Sequence, residues 1–269
     1  MATLHVHEYG DPAGRPLVAL HGVTGHGARW RRLATEHLPG FRVLALDLRG
    51  HGRSPWTPPW TLEQHTADVL DTLDALGLDH VPVLAHSFGG AVALHLSRLA
   101  PERVARLVLL DPAIGLPPEQ AAEQADLTVG LPMVFADPED AVAAQRARWS
   151  GLPLSLVEEE VAEHLERVEG APDAGGGPGT NGHWRWRFRL AAVVTAWSEM
   201  ARPHVVPPAG TPTLLVAARG ADFVQPEFVQ DCRSVLGEEL VATELDCGHM
   251  VYLERAEEVG TLVRDFLGA

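Results

Sequence analysis

The chain has 269 residues, with 36 acidic against 21 basic side chains and a formal net charge of −15. That excess of acid argues against a nucleic-acid partner, because no basic surface is available to neutralise phosphates. The length suits one α/β domain carrying an insertion. Every basic side chain is arginine. No stretch approaches the roughly 18 apolar residues that a membrane span needs. Met1–His7 lacks the basic-then-apolar order of a signal peptide. The two cysteines, Cys232 and Cys247, form neither a disulfide framework nor a metal spacing. The expected setting is cytoplasmic, with free thiols; nothing in the sequence fixes an oligomeric state.

In chain order, strands are predicted at Leu17–Leu20, Phe41–Leu46, Val81–Ala85 and Val104–Leu110, rich in Val and Leu and bounded by Gly, Pro or Asp. Strands apolar on both faces and separated by helices point to a mostly parallel sheet covered on both sides. A helix is predicted from Thr61 to Gly77, opened by a Thr61/Gln64 capping box, with Leu62, Val69, Leu70, Leu73 and Leu76 as its apolar face. A second helix follows Ser87 and stops at Pro101. Residues from about 113 to 207 read as helical patterns without intervening strands, broken by a Gly- and Pro-rich stretch at Gly170–Gly182. Strands at Pro212–Ala217 and Glu239–Leu245 and a helix at Glu254–Leu267 close the chain. The expected domains are therefore 1–112 with 208–269 as an α/β core, and 113–207 as a helical insertion.

The most informative segment is Val83-Leu84-Ala85-His86-Ser87-Phe88-Gly89-Gly90-Ala91. An apolar run ends in a serine, and small residues lead at once into a helix. Such a strand-to-helix turn holds Ser87 in a strained conformation with its hydroxyl lifted from the sheet edge. A serine hydroxyl is a weak nucleophile near neutral pH, so it requires a histidine base, an acid to orient that base, and donors for an oxyanion. His249, in Asp246-Cys247-Gly248-His249-Met250, follows the last predicted strand and is the expected base.

Together these segments resemble the α/β-hydrolase superfamily: the turn around Ser87 matches its nucleophile elbow, with Ala85 in place of the usual first glycine. Asp47-Leu48-Arg49-Gly50-His51-Gly52-Arg53-Ser54 resembles its D-x-R-G-x-G-x-S loop, expected to be structural. The resemblance implies the chain order Ser, acid, His. Asp222, after the strand Pro212–Ala217, is the preferred acid; Asp111, at the end of the preceding strand, is the alternative. It also implies backbone oxyanion donors at Val23, in Leu20-His21-Gly22-Val23-Thr24-Gly25, and at Phe88. The insertion, expected as a helical cap after the sixth strand, would line an apolar pocket. Trp149, Trp186, Phe135 and Met250 are its candidate substrate contacts.

A serine nucleophile implies an acyl-enzyme, hence an ester or lactone substrate, with no cofactor and no metal. The expected activity is a carboxylic ester hydrolase. The alternatives are a carbon–carbon hydrolase or enol-lactonase acting on an acidic ring-cleavage product, and a cofactor-free haloperoxidase or perhydrolase. An acidic substrate would call for an inward arginine among Arg185, Arg187 and Arg189; a solvated arginine face is the preferred reading of that stretch.

Overall fold

The computed structural model describes residues 3–169 and 182–268. The break expected at 170–182 therefore lies, but for Gly182, outside the described residues. The chain opens with β1 (Val6–Gly10) and β2 (Arg15–Leu20), then β3 (Phe41–Leu46), α1 (Leu62–Ala75), β4 (Val81–His86), α2 (Phe88–Leu99) and β5 (Val104–Leu110). Next come α3 (Pro118–Val129), β6 (Val134–Phe135), α4 (Pro138–Arg148), α5 (Leu154–His164), β7 (Leu165–Val168), β8 (His183–Trp186) and α6 (Leu190–Met200). It closes with β9 (Thr213–Ala218), α7 (Pro226–Leu236), β10 (Leu240–Leu245), α8 (Val251–Glu254) and α9 (Ala256–Leu267).

Seven strands form one sheet in the order β1-β3-β2-β4-β5-β9-β10. β1 runs antiparallel to β3 and the other pairings are parallel. The fold class expected from the sequence, a mostly parallel sheet flanked by helices, is what the chain adopts. The period-2 alternation of side chains divides the central strands between two cores. Val18, Leu20, Val83, Ala85, Leu107 and Leu109 face one core, which α1 and α2 cover. Leu17, Ala19, Leu84, Val108 and Leu110 face the other, closed by Val259, Val263 and Leu267 of α9. Both faces are apolar because both are buried, which is why these strands read as continuous apolar runs.

Local signals set the helix ends. Thr61 caps α1, its hydroxyl accepting from the Gln64 backbone N–H at 3.3 Å, while the Gln64 side chain turns to Asp68 instead of closing the box. Two expectations are corrected. The segment 113–207 follows the fifth strand of the large sheet, not the sixth. It also contains a three-stranded antiparallel sheet, β6-β8-β7, where only helices were expected. Trp184-Arg185-Trp186 alternates with period 2, a strand signature carried by residues that also suit a charged face.

β2, β4, β5, β9 and β10 all end at one rim of the sheet, and the loops leaving them converge there. Open parallel sheets bind ligands outside the carboxyl ends of their strands, where helix N-termini and loop backbone are exposed.

Candidate active site

Ser87 sits where β4 ends and α2 begins, with φ 54° and ψ −121°. The described non-glycine residues with positive φ are Thr24 (54°), Ser87 (54°) and Asp111 (44°). L-residues rarely adopt this region, so the surrounding packing must hold each in place. All three lie at the same rim. The elbow is tight because Gly89 lies against β2: a Cβ there would stand 2.5 Å from the Leu20 carbonyl oxygen. Ser87 is buried, and its Oγ has no hydrogen-bond partner among the described residues.

His249 follows β10, as expected. Its Nδ1 donates to Asp111 Oδ2 at 2.6 Å. The other carboxylate oxygen, Oδ1, accepts from the Ala218 backbone N–H at 2.9 Å, so the carboxylate is fixed from two sides. With its proton held on Nδ1, the imidazole presents Nε2 as the basic atom. Beneath it His86, wholly buried, donates from Nε2 to the His249 carbonyl at 2.8 Å. Burial first, and then the neighbouring His249, push the His86 pKa well below the usual histidine value, so this ring stays neutral.

The acid preferred from the sequence is thus corrected: Asp111, not Asp222, is the partner of His249. Asp222 is exposed, and its backbone carbonyl accepts from the Gln225 side chain at 2.9 Å. The loop after β9 is drawn toward β10 by Gly220 N–H to Cys247 C=O at 2.9 Å. It brings Phe223 rather than Asp222 onto the histidine, with ring centroids 4.2 Å apart.

The loop after β2 closes the other side. Gly22-Val23-Thr24-Gly25 is a turn with Gly25 N–H donating to Gly22 C=O at 3.1 Å, a bond that does not use the Val23 N–H. A Cβ on Gly22 would lie 2.8 Å from Ser87 Cβ and 3.2 Å from its Oγ, so only glycine lets the backbone approach the hydroxyl this closely. His21 fastens the turn: Nδ1 donates to the Gly22 carbonyl at 2.7 Å, and Nε2 accepts from Leu48 N–H at 2.9 Å. Phe88 is the first residue of α2, where backbone N–H groups have no intrahelical partner and the helix dipole favours negative charge.

The D-x-R-G-x-G-x-S loop braces this region. Asp47 accepts from Gly27 N–H at 2.6 Å and Arg53 N–H at 2.9 Å, and Arg49 clasps the buried Asp68 at 2.6 and 2.7 Å.

Thr24 is held from an unexpected direction. Arg29 Nη2 donates to its carbonyl at 2.8 Å, while Arg29 Nε reaches both oxygens of Glu160 of α5 at 3.0 Å. His26 Nε2 adds a 3.0 Å bond to Glu160, and His164 Nδ1 lies 3.3 Å from it. All four side chains are buried. The ligand atoms of His26, Glu160 and His164 fall within 4.8 Å of one another. Arg29 already occupies both oxygens of that carboxylate, and a metal ion would have to displace or face its charge.

Ser87, His249, Gly22 and Val23 open into a cavity of about 480 Å³. Of the expected substrate contacts, Trp149 and Met250 line it. Trp186 and Phe135 do not: they pack edge to face at 5.3 Å between the small sheet and the core, and Trp186 donates to the Pro132 carbonyl. Trp197, Phe223 and Leu152 take their place on the wall. A second, more polar cleft of about 590 Å³ shares Gly151, Leu152 and Glu254 but holds neither Ser87 nor His249.

A family described as the alpha/beta hydrolase fold matches residues 15–256. The chain belongs to that family. This α/β-hydrolase is 39% identical over 268 residues to Lipase LipV of Mycobacterium tuberculosis, covering 98% of each chain. It is 25% identical to Esterase YbfF of Escherichia coli, over 94% of this chain and 92% of that one. A solved marine microorganism esterase superposes with a TM-score of 0.76 at 19% identity, covering 99% of this chain and all of the other. Among the described residues, no helix is long and apolar enough to cross a membrane.

Proposed function

We propose that this α/β-hydrolase is a serine carboxylic ester hydrolase acting through an acyl-enzyme. Residues 1–112 and 208–269 form its catalytic core, and 113–207 form a cap over it. The carrying observation is the 2.6 Å bond from His249 to Asp111, set in one cavity with an unpartnered Ser87 hydroxyl on a strained elbow. The lipase and esterase relatives support the same reading.

In this mechanism His249 Nε2 takes the Ser87 hydroxyl proton as Oγ attacks the acyl carbon. Asp111 keeps the other ring proton on Nδ1 and stabilises the imidazolium that forms. The N–H groups of Val23 and Phe88 receive the oxyanion, fixed before the reaction starts, so no dipole has to reorient as charge develops. His249 then returns its proton to the leaving alcohol. Water attacks the acyl-enzyme along the same path in reverse order, releasing the acid and restoring Ser87. Trp149, Trp197 and Phe223 offer the acyl group an apolar wall. The free thiols Cys232 and Cys247 suit a reducing, cytoplasmic setting.

Ser87→Ala tests the reading on a panel of p-nitrophenyl esters. It should lower kcat on the order of 10⁶-fold with the fold intact, as loss of a triad nucleophile does. A variant that keeps a tenth of the activity contradicts it.

A further inference from the structure

The arginines expected to serve an acidic substrate do not reach the cavity. Arg185 and Arg187 both engage Glu166, at 2.7 and 3.3 Å, and Arg185 also stacks over Trp56. Arg189 is exposed at the start of α6 and does not line the cavity.

A different arginine does. Arg148, the last residue of α4, stands on the wall of the cavity that holds Ser87 and His249. Among the described residues its hydrogen bond, at 3.3 Å, goes to the neutral amide oxygen of Gln145, and no carboxylate oxygen lies within 4.0 Å of it. The other cation on this wall, Arg29, is already neutralised by Glu160. The acid on the wall, Glu254, turns its carboxylate to the Gly248 N–H at 2.7 Å and does not reach Arg148. The wall of the cavity beside the nucleophile thus presents Arg148 without a carboxylate in contact with it, and Glu254 apart from it on the same wall.

Arg148 as a whole is exposed, so it stands at the open edge of that cavity. Protein atoms crowding the guanidinium, and next the nearby charge of Arg29, push the Arg148 pKa below the ordinary arginine value, while Glu160 acts in the opposite direction. Arg29, Arg42, Arg49 and Arg202, which hold carboxylate partners, move the other way. An anion delivered by a ligand would give Arg148 the direct carboxylate contact that it lacks among the described residues. A guanidinium is well shaped to accept a carboxylate through two parallel N–H···O bonds.

Resting on the proposed esterase reading, we propose that Arg148 is a substrate-binding residue. It selects esters that carry a second, ionised carboxylate away from the bond being cleaved. The carboxylate binds Arg148 and takes no part in the reaction; the bond broken remains the acyl C–O bond at Ser87. The apolar wall of Trp149, Trp197 and Phe223 then accommodates the methylenes between the two ends.

The test compares p-nitrophenyl hydrogen adipate with p-nitrophenyl heptanoate, a neutral ester of similar length, in the native enzyme, Arg148→Gln and Arg148→Lys. The adipate monoester places the charge on the acyl side; 5-acetoxypentanoate against pentyl acetate, followed by pH-stat, places it on the alcohol side. In Arg148→Gln, kcat/KM for the anionic member of one pair should fall roughly tenfold or more, mainly through KM, and Arg148→Lys should restore part of it. The neutral esters should change by less than about twofold, since Arg148 touches no catalytic group. Free adipate should inhibit heptanoate hydrolysis by the native enzyme and lose that effect in Arg148→Gln. An equal fall on charged and neutral esters, or no fall on either charged ester, overturns the proposal. If the native enzyme hydrolyses none of the esters, charged or neutral, the esterase reading itself fails, a result distinct from both.

Discussion

Asp111 and His249 lie 138 residues apart and are joined by a 2.6 Å hydrogen bond between Oδ2 and Nδ1. β5 and β9 are neighbours in the sheet, so the residue ending β5 emerges beneath the loop that follows β10. The Asp111 backbone turns sharply there, with φ 44°, and its second oxygen is pinned by Ala218 N–H. On the proposed mechanism the chain order nucleophile, acid, base is preserved, with the acid one strand earlier than the sequence suggests.

Exchanging the two candidate acids separates them. Asp111→Asn should lower kcat for ester hydrolysis by roughly 10⁴-fold, because the amide no longer holds the productive tautomer of the histidine. Asp222→Asn, at an exposed position, should stay within about twofold of the native enzyme. Steady-state kinetics on one p-nitrophenyl ester checks both; the reverse pattern would return the role to Asp222.

Much of this architecture is legible locally. The central strands declare themselves because both their faces are buried, and the Ser87 elbow because strand, nucleophile and helix are contiguous. β1 escapes notice since it is an edge strand of Val6-His7-Glu8-Tyr9-Gly10, partly exposed and polar, with Glu8 paired to Arg42. The choice between Asp111 and Asp222 depends on which loop faces the histidine, and that is decided by strand order, not by spacing. Phe223 shares the loop of Asp222, and no motif in the sequence marks it as the ring that meets His249. The bonds from Arg29 to Glu160 span 131 residues, and no periodicity reports them.

That buried pair links α5 to the turn beside Ser87, and its removal should register twice. Glu160→Gln leaves Arg29 buried without a countercharge and should cost roughly 3–5 kcal/mol of stability. The thermal midpoint should then fall on the order of 10 °C. Arg29→Met/Glu160→Met removes both charges and should recover much of that loss. Its kcat should remain low, since nothing then holds the Thr24 carbonyl. Calorimetry with kinetics on both variants checks this; full activity in the double variant would show that the Thr24 contact does not matter.

Buried histidines make stability depend on pH. Burial lowers the pKa of His51 to about 4 and those of His65 and His164 to about 3, from an ordinary value of 6.5. Unfolded, these rings bind protons near pH 6.5; folded, they stay neutral down to 3–4, so unfolding takes up protons in between. Their contribution is complete above about pH 6.5 and declines as the pH falls toward 4, each ring adding a slope of about 1.4 kcal/mol per pH unit. Thermal midpoints measured at intervals from pH 7.5 to 4 should drop steeply below 6.5, and His51→Gln should flatten the curve. A level profile across that range contradicts the burial argument.

The central claim, that Ser87 is activated by the Asp111–His249 pair, is tested most directly by mapping covalent modification with a fluorophosphonate. Intact-mass and peptide analysis should find one adduct, on Ser87, absent in Ser87→Ala. In Asp111→Asn it should form on the order of 10²–10⁴-fold more slowly, because the phosphonylation needs the same base and the same oxyanion donors. An adduct that forms at the native rate in Ser87→Ala, or at an undiminished rate on Ser87 in Asp111→Asn, would contradict the account.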